Sequence, residues 1–117
     1  MPRIALAALA LFLFAAPASA QNEGKWGAIA HGGAERASGS AVDYPSREEA
    51  RQAALEACGG RCTRTIAFLR TCAAVAESPS GAAAWSSNRF RDRAIARALK
   101  QCANSDCAVV AWACTRH

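Results

Sequence analysis

The chain repeats itself. Residues 50–62 form an alanine-rich helical pattern, Ala50, Ala53, Ala54, Leu55 and Ala57, that closes on Cys58-Gly59-Gly60-Arg61-Cys62. A shift of 44 positions places Ala94, Ala98, Leu99 and Cys102 on Ala50, Ala54, Leu55 and Cys58 without a gap. Self-similarity at a fixed offset marks a structural unit used twice. The fold must therefore accommodate two copies of one small motif.

Each copy reads as strand, strand, helix, strand. Trp26 to Ala30 is a short apolar strand, and His31 to Gly39 carries the glycines and serines of a long hairpin returning through Ser40 to Tyr44. Pro45 ends that strand, and Ser46-Arg47-Glu48-Glu49 fits the S-x-x-E capping box that opens a helix to about Cys58. Gly59 is suited to stop it in the left-handed conformation. Thr63 to Leu69, with Thr65, Ile66 and Phe68, is the third strand. In copy two the strand Cys72 to Ala76 matches Trp26 to Ala30, Ser78 to Gly81 is the hairpin turn, and Ala82 to Ser86 returns. Asn88 is the candidate N-cap of a helix to about Cys102, and Ala108 to Ala113 closes the unit. The expectation is an α+β fold of two pseudo-symmetric β-β-α-β repeats, about 25–71 and 72–114. Its sheet, or pair of sheets, is mainly antiparallel, with two helices packed on it through alanine faces and disulfides stabilising the whole.

The first twenty residues read as an export signal. Arg3 is a minimal basic region, Ile4 to Ala16 is apolar, and Pro17-Ala18-Ser19-Ala20 is an A-x-A approach to cleavage after Ala20. The apolar run is well short of the roughly 20 residues that span a bilayer, so no span is expected after processing. Removal of Arg3 takes the net charge from +5 to +4. What remains, residues 21–117, is a single domain of roughly 100 residues, whose apolar core alone gives a modest margin of stability. All six cysteines lie in it, and a secreted or periplasmic location allows them to form three disulfides.

Six cysteines allow 15 pairings. Repeat symmetry suggests clips at each helix end, Cys58 with Cys62 and Cys102 with Cys107, leaving Cys72 with Cys114. The main alternative joins Cys62 to Cys107 across the repeats and Cys58 to Cys72.

The succession Trp26-Gly27-Ala28-Ile29-Ala30, Tyr44-Pro45-Ser46-Arg47-Glu48-Glu49-Ala50, Ala53-Ala54-Leu55-Glu56-Ala57-Cys58 and Cys72-Ala73-Ala74-Val75-Ala76 resembles the bacterial family called domain of unknown function 4189. The resemblance covers about residues 25–114. It implies a small, exported, cysteine-bearing bacterial domain and supplies no catalytic motif. The chain departs from the family's usual pattern at Ala82-Ala83-Ala84, where aromatic and glycine residues are frequent.

Catalytic patterns are thin. Redox chemistry of the thioredoxin kind needs C-x-x-C with a thiolate at a helix start, whereas Cys58 and Cys62 are spaced C-x3-C and Cys58 falls at a helix end, where the dipole raises a thiol pKa. Finger-like zinc spacing is absent, so neither metal nor cofactor is expected. His31 falls in the glycine-rich loop and His117 ends the chain, neither with an evident partner. Ser40 lacks a G-x-S-x-G context, Glu49 has a capping role beside Glu48, and a carboxylate pair such as Asp43 with Glu77 is not favoured by spacing.

The two helices differ on their outer faces. Helix one presents Glu49, Gln52 and Glu56, whereas helix two presents Arg89, Arg93, Arg97 and Lys100 with only Asp92 nearby. This basic face is the candidate binding surface, and the expectation is an exported, non-catalytic binding or interaction module, such as an inhibitor or host-facing factor. Its partner would be a protein or an anionic component of the envelope. Nucleic acid is not expected, because export separates the chain from most of it and the sequence does not interleave aromatics with the cations. The three tryptophans, Trp26, Trp85 and Trp112, fall on strands, where a large ring most often caps a core; Trp85, next to the polar strand end Ser86-Ser87-Asn88, is the one expected to be exposed. The competing expectation is a small envelope hydrolase with its site formed between the repeats from His31 or carboxylates.

Overall fold

The fold is taken from a computed structural model that describes residues Gly24–Arg116; the export segment expected over residues 1–20 lies outside them, as does His117. Repeat one is β1 (Trp26–His31), β2 (Gly39–Tyr44), α1 (Arg47–Ala57) and β3 (Arg64–Leu69). Repeat two is β4 (Cys72–Glu77), β5 (Ala83–Asn88), α2 (Arg91–Gln101) and β6 (Ala108–Cys114). Each repeat forms its own antiparallel three-stranded sheet, in the orders β2-β1-β3 and β5-β4-β6. The first strand of each repeat is thus central, and the helix crosses over it to connect the two outer strands.

That topology explains why β1 and β4 are runs of small apolar residues rather than alternating polar and apolar ones. Both are covered on both faces. Ala28 and Ala30 pack with Ala50, Ala54 and Cys58 under α1, and Ala74 and Ala76 pack with Ala94, Ala98 and Cys102 under α2. The opposite faces meet each other: Ile29, Ile66 and Phe68 of repeat one share a core with Ala73, Val75 and Ala113 of repeat two. The molecule is therefore layered helix, sheet, sheet, helix. The large side chains are concentrated in the middle, where burial of each is worth about 1.5–3 kcal/mol, and alanine lines the two helix contacts.

Glycines set two close approaches. A Cβ on Gly27 would lie 2.5 Å from Phe68 Cε2, so the phenyl ring occupies the space over that backbone. A Cβ on Gly39 would lie 2.5 Å from Cys58 N and 2.8 Å from Ala57 C, so β2 starts directly against the C-terminal end of α1.

The cysteines pair as Cys58 with Cys62, Cys72 with Cys114 and Cys102 with Cys107. The first and third fasten each helix end to the strand that follows it. Cys72 and Cys114 are cross-strand partners on β4 and β6. Arg70 and Thr71 join the repeats, and Thr71 N donates to Thr115 Oγ1 at 2.8 Å.

Local differences from the sequence expectation have local causes. The Ser46 hydroxyl accepts from Glu49 N at 3.2 Å, but the Glu49 carboxylate accepts a hydrogen bond from the Ser46 hydroxyl rather than from a backbone amide. Asn88 does not cap α2. It is the last residue of β5, its Oδ1 accepts from Phe90 N at 2.9 Å, and Phe90 occupies the cap position with no side-chain bond. Leu55 and Leu99 sit on the helix flanks rather than in the buried arc, each more than a third exposed. On α1 and α2 only the alanines Ala50, Ala54, Ala94 and Ala98 are fully covered.

Candidate functional site

Two places gather polar or aromatic groups beyond what packing requires. The first lies between the repeats. His31 is the last residue of β1, not part of the loop, and Glu77 is the last residue of β4. Both belong to the alternate set, with Ile29 and Val75, that faces the opposing sheet. His31 Nδ1 lies 3.5 Å from Glu77 Oε2, with side chains only 6% and 13% exposed. His31 Nδ1 and Glu77 Oε1 are buried without a hydrogen-bond partner. Beside the pair opens a cleft of about 500 Å³, walled by Gly33, Glu35, Arg36 and Arg64 of repeat one and by Glu77 and Ala83 of repeat two.

The repeat-one wall is held by the Cys58–Cys62 segment. Thr63 N donates to His31 O at 3.0 Å, the Thr63 hydroxyl donates to Gly32 O, and the Arg61 carbonyl lies where a Gly33 Cβ would be. Glu35 and Arg36 take left-handed backbone conformations at the rim (φ 63° and 54°). Asp43 is not part of this site: it lies toward the Trp26 end of β1, and its Oδ1 accepts from Arg116 N at 2.9 Å. The carboxylate pair Asp43 with Glu77 is therefore not formed.

The second place is the outer face of repeat two. Arg89, Arg93, Arg97 and Lys100 are all exposed there, Arg89 preceding α2 rather than lying on it. Among them stand two aromatic rings, Phe90 and Trp112, 51% and 46% exposed. Arg89 and Arg93 stack on Phe90 at 5.3 and 4.9 Å from the ring centroid, and Arg91 stacks on Trp112 at 4.8 Å. Trp112 separates two shallow grooves. One, about 330 Å³, is lined by Arg89, Phe90, Arg91 and Cys114; the other, about 550 Å³, is lined by Ser38, Ser40, Ile95, Val109 and Val110. In repeat one Arg47 stacks on Trp26 at 5.0 Å, with Trp26 half-buried.

The family model described as Domain of unknown function (DUF4189) matches residues 26–114. The chain belongs to this family. The DUF4189 domain is also similar to a solved structure, the NMR structure of Rv1813c from Mycobacterium tuberculosis. The two are 33% identical, the match covers 78% of this chain and 75% of that one, and the TM-score is 0.60. No curated protein matches the chain.

Within the DUF4189 domain, the structure brings the predicted basic residues onto one face but places them among aromatics that the sequence reading took for core or overlooked. Trp85 is exposed, as its polar strand end predicts, and Trp112 is exposed where a core cap was expected. The cations and rings are interleaved, so the composition argument against nucleic acid falls away and the export argument alone remains. Among the described residues no group of three or more histidine, cysteine, aspartate or glutamate side chains gathers as metal ligands, and no helix is long and apolar enough to cross a membrane. Three disulfides fit an oxidising environment.

Proposed function

We propose that this DUF4189 domain is an exported, non-catalytic binding module, secreted or periplasmic after cleavage at Ala20, that grips an acidic segment of a protein partner across α2 and β6. The carrying observation is the set of three arginines stacked on Phe90 and Trp112 beside two grooves. Arginine over an aromatic face keeps its N–H edge free for carboxylates while the ring supplies apolar contact. Tryptophan and arginine are the residue types that dominate binding energy in protein interfaces. Concave grooves either side of Trp112 suit side chains of a peptide better than a flat lipid surface.

Poly-L-glutamate is the simplest probe. We expect saturable binding that weakens steeply with salt, and a loss of about tenfold or more in the Arg93→Glu/Arg97→Glu variant, measured by fluorescence anisotropy. Binding unchanged by that reversal contradicts the reading. Tighter capture by phosphatidylglycerol vesicles or heparin would move the partner to an envelope lipid or polysaccharide.

The competing hydrolase reading draws on His31 and Glu77, which come from both repeats. Against it, the hydroxyls lining the cleft are engaged elsewhere: Ser78 Oγ accepts from Ala82 N at 3.1 Å and Thr63 Oγ1 donates to Gly32 O. Turnover of p-nitrophenyl acetate that disappears in Glu77→Gln would favour it.

A further inference from the structure

The cleft between the repeats has features that packing alone does not require. Burying a polar atom without a hydrogen bond is unfavourable, and proteins avoid it where nothing else is gained. Here two such atoms, His31 Nδ1 and Glu77 Oε1, occur side by side, and Glu77 lines an open cleft. The cross-strand partners of the pair fix the chemistry around it. Arg64 is opposite His31 on β3, and Ala83 is opposite Glu77 on β5. Partners in register point to the same face, so a guanidinium flanks the pair on one side and a one-carbon side chain leaves the other side open. Arg36 and Arg64 form no ion pair among the described residues, and Glu35 is paired only loosely with Arg61, at 4.0 Å. A cleft of about 500 Å³ is of small-ligand size.

We propose that this cleft binds a small zwitterion, an α-amino acid or the end of a short peptide. Its ammonium group pairs with the Glu77 carboxylate where that side chain lines the cleft, and its carboxylate is held by Arg64 at the rim. His31 fixes the orientation of the Glu77 carboxylate from behind and does not touch the ligand. Ala83 is the specificity element: a larger side chain there would occupy the space over Glu77. The site shares no residue with the α2 and β6 face, so either can fail without the other.

The test uses the oxidised, 15N-labelled chain. Amide shifts are followed while each of the twenty amino acids, and separately the dipeptide Ala-Ala, is added to about 10 mM, a range that detects millimolar affinity. We expect saturable shifts confined to residues 31–36, 63–64 and 77–83. A free amino acid that saturates identifies the smaller ligand, and saturation by Ala-Ala alone identifies a peptide end. Binding should weaken about tenfold or more in Ala83→Leu, which leaves every charge in place, and in Glu77→Gln. Both variants are checked for an unchanged fold by their remaining spectrum. Absence of saturable shifts with every probe overturns the proposal, as does binding that survives Ala83→Leu at full strength.

Discussion

Removing the Cys72–Cys114 bridge by a double alanine substitution should lower stability by about 4 kcal/mol, the largest single loss we expect in this chain. The bridge joins residues 42 apart, and the chain-entropy estimate for a loop of that length is about 4 kcal/mol, against about 2 for closures of 4 or 5 residues. For a domain of this size that corresponds to a fall in Tm of roughly 15–30 °C. Alanine is the right replacement because Cys72 is buried with Ala74 and Ala76 under α2, and a serine hydroxyl would add an unsatisfied polar group. Urea denaturation of this variant beside Cys102→Ala/Cys107→Ala checks the claim. Equal losses in the two would show that loop length does not govern their contributions.

Gly39→Ala should cost about 3 kcal/mol, at the upper end of ordinary overpacking. The added methyl group meets Ala54 O, Cys58 N and Ala57 C, all backbone atoms of the α1 end, which cannot turn aside as a side chain can. The bridge of Cys58 to Cys62 holds that same helix end in place. Gly59→Ala is the comparison. It has a left-handed backbone, φ 67°, but nothing lies within 4 Å of its Cβ position, so its cost is conformational and about 1 kcal/mol. Thermal unfolding of both variants, with Gly39→Ala no less stable than Gly59→Ala, would contradict the packing described.

These two glycines show what the sequence made legible. Gly59 is readable because a helix pattern ends there, and the residue that stops a helix is a local matter. Gly39 looks like an ordinary turn glycine, since its constraint comes from α1, which follows later in the chain and folds back onto β2. The same division holds elsewhere. The ββαβ order, the strand pattern of Trp26 to Ala30 and Cys72 to Ala76, and the alanine faces of both helices follow from periodicity. Contacts between the sheets do not. His31 reads as a loop residue because Gly32 and Gly33 follow it, yet aligning Trp26 to Ala30 with Cys72 to Ala76 and extending by one position places His31 on Glu77. That alignment, combined with the alternation of strand faces, was the available signal for the pair. Phe90 and Trp112 were harder. Their exposure depends on α2 starting after Phe90 rather than at Asn88, and on β6 extending to Cys114 at the sheet edge, beside the first turn of α2.

The asymmetry of the two outer faces remains the functional core of the account. Both helices are built on the same alanine seam, but α1 carries Glu48, Glu49 and Glu56 outward while α2 carries Arg91, Arg93, Arg97 and Lys100 beside exposed rings. A footprint of poly-L-glutamate on the 15N-labelled, oxidised chain tests this most directly. The account predicts shifts at residues 89–100 and 109–112 that vanish at high salt, with α1 and the inter-repeat cleft unaffected. Shifts centred on residues 47–57, or spread evenly over both repeats, would contradict it.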